Sequence, residues 1–291
     1  MQITNSRFKS YLVGISETTR ETSLKHKNIK FNEWLAGIID ANGNLTITKN
    51  NIISLEIIIS YNDVKALEMI KSKYGGSIKP KSGYNTFRYR LSNLNNIILI
   101  INNINGNLHN SKRLLQLHKI CNNLNIPLIE PISLNKPREA GIPAGGGHYK
   151  SHQMGKFIYN DNNWYIGYFD GKGKIEYKFN KSQELDEYIP ELTISINDKI
   201  LDNINIFKSK FGGSIFYNKG SGGSYTWSIN NKLEILHFYN YIKINPSRTS
   251  KFNKLILIKK YYELIDIKAY KSLEGSSLNK IWLNFERKWN S

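Results

Sequence analysis

Acidic and basic side chains occur at matching places in two parts of the sequence. Asp40 lies in residues 34–43 (WLAGIIDANG), and Asp170 lies in residues 164–173 (WYIGYFDGKG), 130 residues further along. Lys112 and Lys251 form a second matched pair, since each follows a polar turn that ends in serine. Two carboxylates brought together could bind a divalent cation, but we interpret both aspartates as structural, capping residues. The two lysines are suited to contact phosphates.

These pairs are part of an internal duplication. Residues 71–78 (KSKYGGSI) match residues 208–215 (KSKFGGSI), and residues 59–63 match residues 194–198 in the same order. In each copy the pattern predicts a helix that ends at the glycine of the aspartate motif, two strands, a helix, two more strands and closing helices, the last over residues 251–267. The sequence therefore predicts an α+β fold made of two pseudo-symmetric αββαββα halves.

The boundaries of the chain's segments follow from this pattern. We expect an N-terminal arm (1–31), a first half (32–127), a linker (128–161), a second half (162–268) and a C-terminal helix or tail (269–291). The basic run at residues 25–30 predicts a flexible, solvated arm. In the proline-rich linker, residues 141–147 (GIPAGGG) are interpreted as a translated G+C-rich insertion that forms a flexible loop. Trp282, Phe285 and Trp289 are expected to dock on the second half, with base stacking as the alternative.

The charge of the chain indicates a polyanionic partner. Lys and Arg number 41 and Asp and Glu number 23, which gives a formal net charge of +18. A folded chain with such a charge most often binds nucleic acid, and less often an anionic membrane surface. Its single cysteine excludes a disulfide within the chain and a multi-cysteine zinc site. Apolar runs are too short to cross a bilayer, the N-terminus lacks the apolar core of a signal peptide, and the histidines have no ligand spacing.

The composition also indicates where the gene resides. The sequence contains 37 Asn, 42 Ile and 33 Lys but only 8 Arg, although arginine makes the better phosphate ligand. An A+T-rich genome explains this bias better than selection on the protein does. A mitochondrial genome fits best, and an A+T-rich bacterium or parasite is the alternative.

The duplicated motif resembles that of a known family. Residues 35–43 (LAGIIDANG) are similar to the signature nonapeptide of the LAGLIDADG homing endonucleases and maturases, and residues 165–173 are a looser copy. The two motifs in one chain are similar to the single-chain, mitochondrial, intron-encoded members. The resemblance implies two motif helices that pack at a pseudo-two-fold axis through Ala36, Gly37 and Gly167. It also implies two antiparallel sheets that curve into a saddle over duplex DNA.

The resemblance places the chemistry of active members at the eighth position of each motif, where an acid binds the catalytic divalent metal. Here the eighth residues are Asn42 and Lys172. An asparagine offers one neutral oxygen, and a protonated lysine offers no acceptor at all. We therefore expect no catalytic residue, no protein-bound metal and no DNA cleavage. Mg²⁺ would enter only through bound RNA, or through residual nuclease activity.

A scaffold without these acids can still act as a maturase, which helps its group I intron to splice while the RNA performs the chemistry. We expect a mitochondrial, monomeric protein that binds group I intron RNA, with double-stranded DNA and a splicing helper protein as further partners. The alternatives are a homing endonuclease or DNA-binding relic, and a structural component of an organellar ribonucleoprotein. The basic residues expected to contact nucleic acid are Lys112, Lys251, Arg88, Arg90, Lys79, Lys81, Lys71, Lys73, Lys208 and Lys210. The last four are equally explained as helix C-terminal lysines that the helix dipole favours.

Overall fold

A computed structural model describes residues 17–131, 134, 162–181 and 187–291 of the chain. Side chains are described from residue 28 onward, with the exception of Ser221. Residues 1–16 of the expected arm and most of the expected linker, including residues 141–147, lie outside this part of the chain.

The two halves repeat one order of elements. The first half consists of α1 (Glu17–Asn42), β1 (Gly43–Ile47), β2 (Ile53–Ser60), α2 (Val64–Tyr74), β3 (Ser77–Pro80), β4 (Thr86–Leu91), α3 (Leu94–Ile104) and α4 (Ser111–Leu124). The second half consists of α5 (Trp164–Lys172), β5 (Gly173–Lys181), β6 (Tyr188–Asp198), α6 (Leu201–Phe211), β7 (Ser214–Asn218), β8 (Ser224–Ile229), α7 (Lys232–Ile244), α8 (Lys251–Leu255) and α9 (Ile258–Asp266). A final helix, α10, spans Ser277–Asn290.

Each half contains one antiparallel four-stranded sheet, ordered β1-β2-β4-β3 in the first and β5-β6-β8-β7 in the second. Residues alternate between buried and exposed along the strands, as in β6, where Leu192, Ile194 and Ile196 are buried between more exposed neighbours. One face of each sheet packs against helices, and the other face is open to solvent. The α+β class and the duplicated antiparallel architecture predicted from the sequence are confirmed.

The same local signals begin and end the matched helices. The side chains of Asn93 and Asn231 cap α3 and α7 by accepting a hydrogen bond from a backbone N–H of the first turn. Helices α2 and α6 end at Gly75 and Gly212, with φ angles of 70° and 77°. These caps recur because the sequence that encodes them is duplicated.

The motif helices α1 and α5 cross in backbone contact. A Cβ atom added to Gly37 would lie 2.2 Å from the carbonyl oxygen of Trp164, and one added to Gly167 would lie 2.0 Å from that of Trp34. Ala36 is fully buried beside this crossing. Small residues at these places let the two backbones approach, so the crossing joins the halves.

The C-terminal helix α10 packs on the second half. Trp282, Phe285 and Trp289 are at most 4% exposed, and each lies within 6.1 Å, centroid to centroid, of the ring of Tyr177 in β5. The docking predicted from the sequence is confirmed, and the buried rings are not free to stack on bases.

Two expectations about helices are wrong. The segment from residue 17 to 31, expected to be part of a flexible arm, is helical and continuous with the motif helix, because no proline or glycine interrupts it before Gly37. The helix expected over residues 251–267 is two helices, α8 and α9, with a break at Ile256 and Leu257. None of the helices in the described ranges is long and apolar enough to span a membrane.

Candidate nucleic-acid interface

Asp40 and Asp170 link the two halves through reciprocal hydrogen bonds. Trp164 of α5 donates its indole N–H to Asp40 Oδ2 at 2.7 Å, and Trp34 of α1 donates its indole N–H to Asp170 Oδ2 at 2.9 Å. The backbone N–H of His109 also donates to Asp40, at 2.6 Å. Each carboxylate therefore joins its own motif helix to the opposite one.

The burial of these carboxylates changes their acidity. Asp40 is fully buried, and burial raises its pKa to about 7 although hydrogen bonds from His109 and Trp164 lower it. Burial likewise raises the pKa of Asp170, against hydrogen bonds from Ser247 and the Arg248 backbone. Neither side chain is open to solvent, so the geometry agrees with structural roles for both aspartates.

Asn42, at the eighth motif position of the first half, is tied to the second half. Its side-chain N–H donates to the carbonyl oxygen of Gly171 at 2.9 Å. The two helices are in contact at this point as well, since a Cβ on Gly171 would lie 2.5 Å from the Cβ of Ala41. The amide therefore acts as a donor across the crossing.

Lys172, at the eighth position of the second half, forms a partly buried ion pair within its own half. Its ammonium donates to Asp198 Oδ2, which also accepts the hydroxyl proton of Tyr168. Burial alone would raise the pKa of Asp198, but the hydrogen bond and charge of Lys172 hold it below its usual value. Burial and the Asp198 charge raise the pKa of Tyr168, so its hydroxyl stays protonated. Lys172 thus places a positive charge where the resemblance expects a metal-binding acid.

The two lysines of the polar turns differ in their environments. Lys251 is enclosed: its side chain is 18% exposed, and its ammonium donates to the Asp170 carbonyl at 2.7 Å and lies 3.5 Å from Asp63 Oδ2. Lys112 is exposed on the first turn of α4. The expectation that both lysines contact phosphates therefore needs correction for Lys251, whose ammonium is already bound inside the protein. Only tertiary contacts create this difference.

Arg113 is a further cation at the centre that sequence reasoning missed. Its guanidinium donates to the Ile39 carbonyl at 3.3 Å and to Gln116 Oε1 at 3.0 Å, and its charge interacts with Asp40 and Asp198. Its position directly after Lys112 was visible in the sequence, but nothing there distinguished it from an ordinary surface arginine.

A divalent metal is poorly matched to the ends of the motif helices. The amide N–H of Asn42 points to a carbonyl oxygen, and the Lys172 ammonium would repel a cation. Among residues 28–131, 162–181 and 187–291, no group of three or more His, Cys, Asp or Glu side chains is arranged to bind a metal ion. The residues present at this place therefore do not fit a protein-bound divalent metal.

The solvent face of the first sheet is basic. Arg88 and Arg90 alternate with the buried Tyr89 on β4, and Lys79 pairs with Arg88 across the strands. The only carboxylate on this face of the described sheet is Glu56, which lies 3.4 Å from Arg88. Three cations against one anion leave a net charge of +2 that could contact phosphates.

The solvent face of the second sheet carries no net charge. Lys174 and Lys178 lie 2.8 and 3.4 Å from opposite oxygens of Glu176. Glu191, in the register pair of Lys178, accepts hydrogen bonds from Asn180 and Asn230. Two lysines against two glutamates cancel, and the rest of this face is formed mainly by Ser, Thr and Asn side chains. The two matched sheet faces therefore differ in charge.

The remaining candidates lie away from the centre. Lys81 follows β3 and its ammonium lies 4.4 Å from the ring centroid of Tyr84. Lys71, Lys73, Lys208 and Lys210 lie in the last turns of α2 and α6. These helices cover the inner faces of the sheets, so the four lysines are separate from the solvent faces that would contact a duplex.

Comparison with known proteins relates the chain to intron-encoded proteins. It is 38% identical over 312 residues to the intron-encoded RNA maturase bI4 of Saccharomyces cerevisiae, with 98% of this chain and 45% of that protein aligned. It is 37% identical over 320 residues to the probable intron-encoded endonuclease aI2 of Debaryomyces hansenii, with the same shares aligned. The chain therefore spans less than half the length of these relatives. No family model matches it.

Solved structures share the fold at low sequence identity. The LAGLIDADG meganuclease I-AabMI bound to uncleaved DNA aligns with a TM-score of 0.62 and 17% identity, covering 89% of this chain and 98% of that one. The I-LtrWI LAGLIDADG homing endonuclease bound to target DNA aligns with a TM-score of 0.61 and 17% identity, covering 91% of this chain and 97% of that one. Each alignment covers nearly the whole of the solved chain, so these structures share the overall fold.

Proposed function

Because the chain belongs to the LAGLIDADG family of intron-encoded endonucleases and maturases, with two motifs in one chain, we propose that it is a group I intron maturase that no longer cleaves DNA. In this role it binds the folded intron RNA and stabilises the conformation that splices. A ligand that binds only one conformation of a partner stabilises that conformation, and the stabilisation grows as the ligand concentration exceeds its dissociation constant.

The ion pair between Lys172 and Asp198 is the observation that carries this proposal. An active site of this family needs an anionic oxygen ligand from each motif to bind the divalent metal. Lys172 contributes a cation instead, and its partner Asp198 is neutralised by that cation and by the Tyr168 hydroxyl. Asn42 is neutral and donates its amide to Gly171, so neither eighth position offers an anionic ligand.

The uneven charge of the sheets supports the same proposal. A duplex bound symmetrically across both sheets would meet a net charge of +2 on one face and none on the other. Phosphate neutralisation supplies most of the affinity for a duplex, so such a surface is poorly suited to hold a long site tightly. RNA recognition depends on shape and local backbone contacts and tolerates an asymmetric surface.

The partners and origin of the chain follow from its relatives. A relative named as an RNA maturase makes intron RNA the proposed partner, and double-stranded DNA is a second one because related structures are bound to DNA. The yeast relatives are intron-encoded, and the amino-acid composition indicates an A+T-rich genome, so we propose a mitochondrial origin. A splicing helper protein and a location in the matrix remain further parts of the proposal.

The test is splicing of the group I intron that carries this reading frame, at low millimolar Mg²⁺, with and without the protein. A duplex spanning the intronless exon junction is incubated in parallel, and a group I intron from an unrelated gene serves as the RNA control. We expect splicing of the cognate intron to depend on the protein, while the duplex remains intact. Absence of any splicing effect, together with a cut or nicked duplex, would refute the maturase proposal.

A site-specific homing endonuclease is the second candidate, since relatives in Debaryomyces hansenii and Dictyostelium discoideum are named endonucleases. That function would require another group to replace the missing acids. It predicts Mg²⁺-dependent cleavage by the unmodified chain, which the same duplex assay measures.

A further inference from the structure

A cluster of cations and aromatic rings lies where the two halves meet. Two cations lie near the ring of Phe31 in α1: Lys73 Nζ is 4.5 Å from the ring centroid, and Arg248 Cζ is 5.2 Å from it. Arg248 is also 5.2 Å from the ring of Trp34. Lys30, one residue before Phe31, reaches across to α7, with its ammonium 3.4 Å from the Ile244 carbonyl. We refer to Lys30, Lys73 and Arg248 as the interhalf cluster.

Within the part of the chain that the structure describes, the cations of this cluster form no direct ion pair, although the charge of the buried Asp170 acts on Arg248 and raises its pKa against the effect of burial. Among the described residues, neither Lys73 nor Arg248 forms an ion pair with a carboxylate; the closest polar partners of Lys73 are the side-chain oxygens of Asn28 and Asn32, at 3.3 and 3.5 Å. Burial lowers the pKa of Lys73, and the charge of Arg248 lowers it further. The Nε of Arg248 is buried and has no hydrogen-bond partner. Two cations held close together, neither in a direct ion pair with a carboxylate, form a favourable place for an anion.

The interhalf cluster lies away from the surface that a duplex would occupy. Phe31 precedes Asn42 by 11 residues on α1, which corresponds to about 16 Å along the helix axis. Lys73 lies on α2, whose buried residues Leu67 and Ile70 pack towards the inner side of the first sheet. The cluster is therefore on the helix-covered side of the molecule, and the solvent faces of the sheets lie on the other side.

The cluster forms only where the two halves pack together. The place that matches it by the duplication does not contain the same set of cations. Arg248 belongs to the second half, and its backbone N–H donates to Asp170 at 2.9 Å. In the matched arrangement, Lys210 takes the place of Lys73 and lies over Tyr165, while His109 takes the place of Arg248. Burial lowers the pKa of His109 to about 4, so that residue is neutral. One of the two matched places therefore contains two cations, Lys73 and Arg248, and the other contains one, Lys210.

We propose that the interhalf cluster is a phosphate-binding site for the backbone of folded RNA, on the side of the molecule opposite the sheet faces. Lysine and arginine hold phosphate oxygens by charge-assisted hydrogen bonds, and the aromatic rings of Phe31 and Trp34 fix the positions of both cations. The site rests on the proposed maturase function and specifies which surface contacts the intron.

The test compares RNA and duplex binding by variants of the cluster. The probes are the transcript of the group I intron that carries the reading frame, the transcript of a group I intron from an unrelated gene, and a DNA duplex of the exon junction. Lys73→Gln and Arg248→Gln remove one cation each, and Lys73→Arg retains the charge. Lys65→Gln is the matched control, since Lys65 is an exposed lysine on the same helix. Filter binding is measured from about 50 to 200 mM KCl, where counterion release gives the number of phosphate contacts.

We expect Lys73→Gln and Arg248→Gln each to weaken RNA binding by about threefold to tenfold and to reduce the salt slope by roughly one. Lys73→Arg and Lys65→Gln should bind like the unmodified chain, and duplex binding should be unchanged in all variants. Unchanged RNA affinity and salt slope in both Gln variants would overturn the site while leaving the maturase proposal intact. Equal losses for RNA and duplex would also overturn it. An unmodified chain that does not prefer the intron transcript to unrelated RNA would overturn both proposals.

A cross-linking experiment distinguishes direct contact with RNA from an effect of the substitution on the stability of the protein. The only cysteine, Cys121, is buried, so Lys73→Cys can be labelled selectively with a photoreactive group. We expect cross-links between this position and the intron transcript, and none from Lys65→Cys. A lack of cross-links from position 73 in a complex that still forms would overturn the site.

Discussion

At the scale of single residues, Lys172 determines the ionisation of a neighbouring acid, Asp198. Asp198 is 3% exposed at its side chain and would be costly to bury with an unpaired charge. Lys172 and the Tyr168 hydroxyl satisfy it, so the lysine at the eighth motif position is the counterion of this buried acid.

The substitution Lys172→Met removes the cation of this ion pair. The variant leaves Asp198 without its counterion, and we expect a loss of about 1 to 3 kcal/mol in the free energy of unfolding at pH 7. Because the pKa of Asp198 is lowered in the folded state, its stabilising contribution is present above its unfolded pKa of 3.8 and is lost as the pH falls through the folded value. The difference between variant and unmodified chain should therefore shrink below about pH 4. Urea unfolding at several pH values measures the free energy of unfolding of both proteins. A difference between them that does not depend on pH would contradict this account.

At the scale of elements, the crossing of α1 and α5 depends on two glycines. The nearest atoms to an added Cβ are backbone atoms of the opposite helix, which cannot move aside without separating the helices. The hydrogen bonds from Trp34 to Asp170 and from Trp164 to Asp40 form only when the two helices lie this close together. The approach of the helices and the hydrogen bonds between the halves therefore support each other.

We expect Gly37→Ala to destabilise the protein by at least about 3 kcal/mol, because the added methyl group would overlap the Trp164 carbonyl. Gly83→Ala is the control: the space around Gly83 is open, and its φ of 76° costs an alanine only about 1 to 2 kcal/mol. Thermal unfolding measures both variants. Similar melting temperatures for the two variants would show that the helix crossing at Gly37 has room for a methyl group, against the 2.2 Å distance to the Trp164 carbonyl.

Helix α10 provides a second prediction at this scale. Trp282→Ala removes a ring that is 4% exposed, and we expect a loss of about 3 to 5 kcal/mol in stability. Leu283→Ala, at a residue 51% exposed on the same helix, should change stability by less than about 0.5 kcal/mol. Chemical denaturation compares them. An effect of Trp282→Ala on RNA binding without a loss of stability would favour the rejected base-stacking role.

At the scale of the whole molecule, the charge of +18 is unevenly distributed. The sheet face of the first half has a net positive charge, that of the second half has none, and the interhalf cluster adds cations on the opposite side. The duplication has thus preserved the backbone architecture while the two surfaces diverged in charge. Different surfaces can then contact different nucleic acids.

This distribution predicts how the sheets contribute to duplex binding. The double variant Arg88→Gln/Arg90→Gln should weaken binding to duplex DNA and reduce the salt slope by roughly two. The matched pair Lys174→Gln/Lys178→Gln should have much less effect, because both lysines are paired with Glu176. Fluorescence anisotropy against KCl concentration measures the two slopes. Equal reductions would show that the second sheet contacts phosphates in spite of its neutral face.

The sequence alone determined the duplication, the α+β class, the order of elements and the positions of Asn42 and Lys172, because these depend on local periodicity, helix caps and residue type. It also indicated the close packing at Gly37 and the docking of Trp282. The tertiary structure decided which ionic side chains meet. Lys251 and Lys112 occupy equivalent places in the sequence, yet Lys251 is bound to Asp170 and Asp63 and Lys112 is exposed. Ion pairs and cation clusters join residues far apart in the chain, so their partners follow from packing of the two halves.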